Sequence, residues 1–129
     1  MMQVIARYAG DAVVLTLKGR LVLEDVEAEL RAAIDGLIQQ GRVKLVLNLQ
    51  EVAYVDSAGL GFLVSKYVSL QRRGGDMALV GVSPRVAHVL EITRLSQVFE
   101  TFASDDEAVQ AVEMAHAHSR ALPFTSTFG

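Results

Sequence analysis

The chemistry this sequence could do gathers at Asp56-Ser57, a carboxylate and a hydroxyl set between an apolar strand pattern and a helical one. The first turn of a helix holds backbone N–H groups with no intrahelical partner, and Ser and Asp are the side chains that satisfy them. Ser57 is therefore read first as an N-cap. The same N–H groups stabilise a phosphate, so Ser57 also fits a phosphoacceptor, and the two readings are compatible. A phosphate adds about −1.5 to −2 charges. Beside Asp56 it would turn a nearly neutral, apolar patch strongly anionic, and a partner shaped for the neutral form would reject it.

A third chemistry, nucleophilic attack by Ser57, lacks its surroundings. A Gly-x-Ser-x-Gly elbow needs glycine where Val55 stands, and the histidines are His88, His116 and His118. No Ser/His/Asp set can be argued from these positions, so no catalytic residue is expected. His116 and His118, two apart, point to different sides of a helix. Neither a metal site nor a cofactor is expected.

The residues after Ser57 read as a docking surface. Gly59 and Gly61 fall in the first turns of a helix, where each costs roughly 1 kcal/mol relative to Ala. Such a backbone is left bare for close approach, either by another body or by a neighbouring strand. On a helical wheel Leu60, Leu63, Val64 and Tyr67 share the core side. Phe62 falls on the opposite side with Ala58, Lys66 and Ser69, within a turn or so of Ser57, where an aromatic anchor of a protein interface would stand.

The elements that must position these residues follow from periodicity. Met2 to Tyr8 and Ala12 to Lys18 alternate and are joined through Ala9-Gly10-Asp11 as a hairpin. From Leu23 the spacing of Val26, Leu30, Ile34 and Leu37 predicts a helix, with Glu24, Asp25 and Glu27 in its first turn and Gly41 at its end. Val43 to Leu49 is the most apolar strand and should be central. A helix from about Ser57 to Arg73 ends at Gly74-Gly75. Met77 to Val82 is a strand, and Ser83-Pro84 caps a helix that turns Val86, Val89 and Leu90 inward. Ser96 to Phe102 is a last short strand. Ser104-Asp105-Asp106-Glu107 opens a final helix with Ala108, Val112 and Ala115 on its buried side. The order is β-β-α-β-α-β-α-β-α, an α/β fold, followed by a tail over 119–129 with no period, as expected of a flexible segment.

At 129 residues, with 51% hydrophobic side chains and no cysteine, the chain has the length of one domain and fits a reducing compartment. A net charge of −3 without an extended Lys/Arg run gives no electrostatic reason to expect nucleic acid. The beginning of the chain lacks a basic segment followed by an apolar one, and no apolar run reaches the roughly 18 residues of a membrane span. A cytoplasmic location and no membrane partner are the expectation.

Val46-Leu47-Asn48-Leu49, Val55-Asp56-Ser57-Ala58-Gly59-Leu60-Gly61, Gly74-Gly75-Asp76-Met77 and Val82-Ser83-Pro84, in this order and spacing, resemble the STAS domain of bacterial anti-sigma-factor antagonists. The resemblance runs from about Val4 to Val112 and implies one STAS domain over 1–118. It also implies a mixed, mostly parallel sheet of about five strands, with about four helices mainly on one face. It implies a partner switch without catalysis of its own. The unmodified form would bind an anti-sigma factor that is also a HATPase-type serine kinase, and so free a sigma factor. That kinase would phosphorylate Ser57, and a PP2C-type phosphatase would reverse it. Leu21, Val22, Asp56, Ala58, Gly59, Gly61 and Phe62 would form the partner surface, and a weak homodimer is compatible with it. The chain departs from the family at Val22, where an Asp is frequent, and at Arg94, where Gly is common after the residue matching Thr93. A scaffold role, in a stressosome-like assembly or as the soluble subunit of a lipid transporter, is the alternative.

Overall fold

The computed structural model describes residues 2–22 and 29–118, for residues 115–118 the backbone alone. Two alternating segments form the strands β1 (Gln3–Ala9) and β2 (Ala12–Leu21), antiparallel neighbours joined by a turn at Gly10-Asp11. Helix α1 (Arg31–Gln39) leads to β3 (Lys44–Val55), which feeds α2 (Ser57–Arg72). Then come β4 (Asp76–Val80), α3 (Pro84–Ile92), a 3-10 turn at Leu95–Gln97, β5 (Glu100–Phe102) and α4 (Asp105–His118). Residues 23–28, where periodicity starts the first helix, lie outside the described residues, as does the segment 119–129.

The five strands form one sheet in the order β1-β2-β3-β4-β5, parallel except for β1. The mixed, mostly parallel sheet is the one expected. Alternation divides its side chains between two cores. Val13, Leu15, Leu17, Leu45, Leu47, Leu49, Met77 and Leu79 pack with Ile34 and Leu37 of α1, Leu60, Leu63 and Leu70 of α2, and Val86 and Leu90 of α3. Ala12, Val14, Val46, Ala78 and Val80 point the other way, onto Ala108 and Val112 of α4. The second core is built from smaller residues, which lets α4 sit close to the sheet.

Polar contacts fasten α4 at both ends. Asn48 is buried within β3, donates through Nδ2 to Asp105 Oδ1 at 2.9 Å and accepts the Gln50 N–H through Oδ1 at 2.9 Å. Arg7 of β1 donates to the other Asp105 oxygen at 3.5 Å. Glu113 accepts the Asp11 N–H at 3.2 Å, so the later part of α4 reaches the β1–β2 turn. Ser104 accepts the Glu107 N–H at 3.3 Å, the cap expected for this helix.

Two expectations are corrected. The central strand runs on past Leu49 to Val55, because β2 keeps pairing with it through two shifts of register, at Thr16/Lys18 and at Gly19/Arg20. Leu21 therefore ends beside Val55. Ser96 to Phe102 is not one strand: Arg94 takes a left-handed backbone, φ 63°, a 3-10 turn follows, and only three residues pair with β4. The departure noted at Arg94 thus falls on a backbone that favours glycine.

A left-handed non-glycine residue is strained by about 1–2 kcal/mol, and glycine gives back part of that in entropy. Arg94→Gly is expected to raise unfolding stability by about 0.5–1 kcal/mol in urea titration, with the fold unchanged.

Candidate functional site

The strand-to-helix junction is built by one side-chain and two backbone hydrogen bonds of Asp56. Asp56, in extended conformation (φ −107°, ψ 179°), ends β3 and caps α2, its Oδ1 accepting the Gly59 N–H at 2.8 Å. The Asp56 carbonyl accepts from Leu60 at 3.0 Å, closing the first turn. The Asp56 N–H donates to the Leu21 carbonyl at 3.2 Å, tying the junction to the end of β2. Asp56, not Ser57, is therefore the N-cap. The tie to Leu21 holds Asp56 in the extended backbone of an N-cap, three residues before the Gly59 N–H, and this position rather than residue type gives it the capping bond. Ser57 becomes the first helical residue, exposed to solvent and with its hydroxyl spared from capping.

Gly59 is explained by the same junction. A Cβ at this position would stand 1.9 Å from the Leu21 carbonyl oxygen and 2.7 Å from its carbon. Of the two readings of its bare backbone, the structure selects close packing against the neighbouring strand. Gly61 is different: it is exposed, and a Cβ there would meet nothing within 4 Å.

Phe62 corrects the helical wheel. The side chain is 6% exposed and belongs to the main core. The wheel allows α2 one buried side, whereas this helix also lies against α1. Lys66 of α2 is ion-paired with Asp35 of α1. Two cations approach the Phe62 ring, the Arg31 guanidinium at 5.2 Å and the Lys66 ammonium at 5.7 Å from its centroid. Such contacts are worth about 0.5–2 kcal/mol each, depending on desolvation. The sequence carries part of this signal, since Lys66 follows Phe62 by one helical turn; Arg31 and Asp35 stand on another helix and give no local sign of it. Leu21 and Val22 are also buried rather than displayed, Val22 at 8% exposure.

What the junction does present to solvent is Ser57, Gly61 and the nearby strand residues Ala53 and Tyr54, with Asp56 and Ala58 half-buried. Tyr54 is 44% exposed and pairs across the ribbon with the exposed Arg20. His88 is exposed on α3, while the side chains of His116 and His118 lie outside the described residues. Among the described residues no group of His, Cys, Asp and Glu is arranged to hold a metal ion. No helix among them is long and apolar enough to cross a membrane.

Three substitutions read this geometry. Phe62→Ala is expected to cost about 3–5 kcal/mol of stability, as for a buried aromatic, against the 0.5 kcal/mol or so of an exposed one. Gly59→Ala should destabilise by about 1–3 kcal/mol through the clash with Leu21, while Gly61→Ala should stabilise by roughly 0.5–1 kcal/mol. Denaturant titration of the three variants checks each sign.

The family model of the STAS domain matches residues 3–108. The anti-sigma-B factor antagonist of Bacillus subtilis (strain 168) is 32% identical over 81 residues, which are 63% of this chain and 73% of the relative. The anti-sigma factor antagonist SpoIIAA in its unphosphorylated form superposes with a TM-score of 0.67 at 25% identity, covering 88% of this chain and 98% of SpoIIAA. The Bacillus cell fate determinant SpoIIAA in its phosphorylated form gives a TM-score of 0.66 at 26% identity, covering 87% and 99%. This chain belongs to the STAS domain family, and anti-sigma factor antagonists are found among both its sequence relatives and its structural neighbours.

Proposed function

We propose that this chain is an anti-sigma factor antagonist that switches partners by phosphorylation of Ser57. In this reading the unmodified protein binds an anti-sigma factor that is a HATPase-type serine kinase. Phosphorylation ends the binding, and a PP2C-type phosphatase restores it. The observation that carries the proposal is the division of labour at the start of α2. Asp56 caps the helix, and Ser57 stands exposed as the next residue with its hydroxyl uncommitted. A kinase needs an accessible hydroxyl, and removing the capping duty from Ser57 lets it be modified without unravelling the helix.

The same geometry accounts for how a phosphate would be tolerated and felt. Gly59 and Leu60 donate to Asp56, which leaves the N–H groups of Ser57 and Ala58 in the first turn for phosphate oxygens. The phosphoryl group would therefore add its charge at a helix start that stabilises anions, so the fold of the module survives the modification. Its cost falls on the partner, which would have to desolvate about −1.5 to −2 charges beside the Asp56 carboxylate. The relative SpoIIAA, solved in unphosphorylated and phosphorylated forms, supports this reading by likeness.

Incubation with a HATPase-type anti-sigma kinase and ATP, read by intact mass, is expected to add a single phosphate that Ser57→Ala loses. The unmodified protein should bind that kinase, and the phosphorylated protein should bind it at least about 100-fold more weakly, as expected for burying an unpaired charge. A mass unchanged in the presence of a kinase that binds the protein would rule the switch out.

A further inference from the structure

The two edges of the sheet are treated differently. The β5 edge is three residues long, a length that limits pairing with another chain. The β1 edge is seven residues long, Gln-Val-Ile-Ala-Arg-Tyr-Ala, with no Pro, no Lys and an unbroken register against β2. Natural sheets blunt a long edge with Pro, charged side chains, a bulge or a covering element, and of these β1 shows one charge, Arg7, which Asp105 neutralises. Among the described residues no strand pairs with the outer side of β1. Its side chains are largely exposed: Ile5 at 50% on the face of Arg7, Tyr8 at 53% on the other, where the Arg42 guanidinium lies over its ring.

We propose that the β1 edge pairs with the β1 edge of a second copy of this chain, antiparallel about a two-fold axis at Ala6, joining two five-stranded sheets into one. The sequence of the strand is self-complementary in that register. Gln3 meets Ala9, Val4 meets Tyr8, Ile5 meets Arg7 and Ala6 meets Ala6 of the other copy. Val4 opposite Tyr8 is the β-branched and aromatic pairing that stabilises antiparallel strands, and symmetry provides it twice. Ile5 opposite Arg7 lays the arginine stem over an apolar side chain. The only charge on the strand is Arg7, and Asp105 lies against it. Near the two-fold axis each Arg7 arrives already paired with Asp105, so neither copy sets a lone like charge of this strand against the other. β2 separates β1 from β3 in the sheet, so both Ser57 hydroxyls stay outside the contact.

Strand pairing of this length buries little area, so the dimer belongs at the weak end of interfaces. Sedimentation equilibrium of the whole chain from about 10 to 500 µM is expected to show the mass rising from one copy to two, with a Kd in the micromolar range. Substitutions at the exposed Ile5 test the register. Ile5→Lys would set two like charges directly opposite each other at both symmetric positions. Ile5→Glu would set a carboxylate opposite Arg7 at the same places. The Glu variant is expected to dimerise about tenfold or more tightly than the Lys variant, with circular dichroism and melting alike for both. A chain that stays monomeric to 500 µM or so overturns the proposal, whether the edge is covered by its own residues or by nothing. Lys and Glu variants that dimerise equally well overturn it too, because the copies would then meet elsewhere.

Discussion

The contact between the Leu21 carbonyl and the first turn of α2 is the constraint around which the site is assembled. One oxygen accepts the Asp56 N–H and lies so close to Gly59 that no side chain fits there. That approach fixes where β2 must end, which in turn requires β3 to run as far as Val55 so that the strands finish together. It also fixes the angle at which α2 leaves the sheet. With the helix held there, Asp56 is left to cap it and Ser57 is turned to solvent. Moving any of these residues by one position would close the cap with the wrong side chain or bury the hydroxyl.

The rest of the fold holds α2 from two further sides. Leu60, Leu63 and Leu70 anchor it to the sheet, and the Phe62 ring, in contact with Arg31, anchors it to α1. The exposed remainder of the helix is therefore a rigid surface with few degrees of freedom to lose on binding, which favours a module that works by being recognised rather than by moving. Its shape near Ser57 is set by Gly61, Ala53 and Tyr54, all exposed.

Much of this is legible in the sequence, for definite reasons. Alternation in Val13, Leu15, Leu17 and in Leu45, Leu47, Leu49 announces strands because each buries one complete face. The apolar run of β3 announces a central strand. The helix start at Asp56-Ser57 is visible because both residue types favour it, and for the same reason which of the two makes the cap is not. A wheel misplaces Phe62 because it describes one helix, and the burial of Phe62 depends on a second, which contributes Arg31. The extension of β3 over Gln50-Glu51 is hidden since those two side chains are exposed and polar, and their pairing comes from backbone groups of β2 that leave no trace in a pattern of side chains.

Strand order in space repeats strand order in the chain, β1 to β5 without exception. Such a sheet can be laid down in the direction of synthesis. The β1–β2 hairpin is local and closes on the microsecond scale, and each later strand reaches a neighbour that has already been made. No strand has to be threaded between two others. The growing border of the sheet thus moves steadily toward β5, and α4, the last helix among the described residues, arrives when the face that it covers is complete.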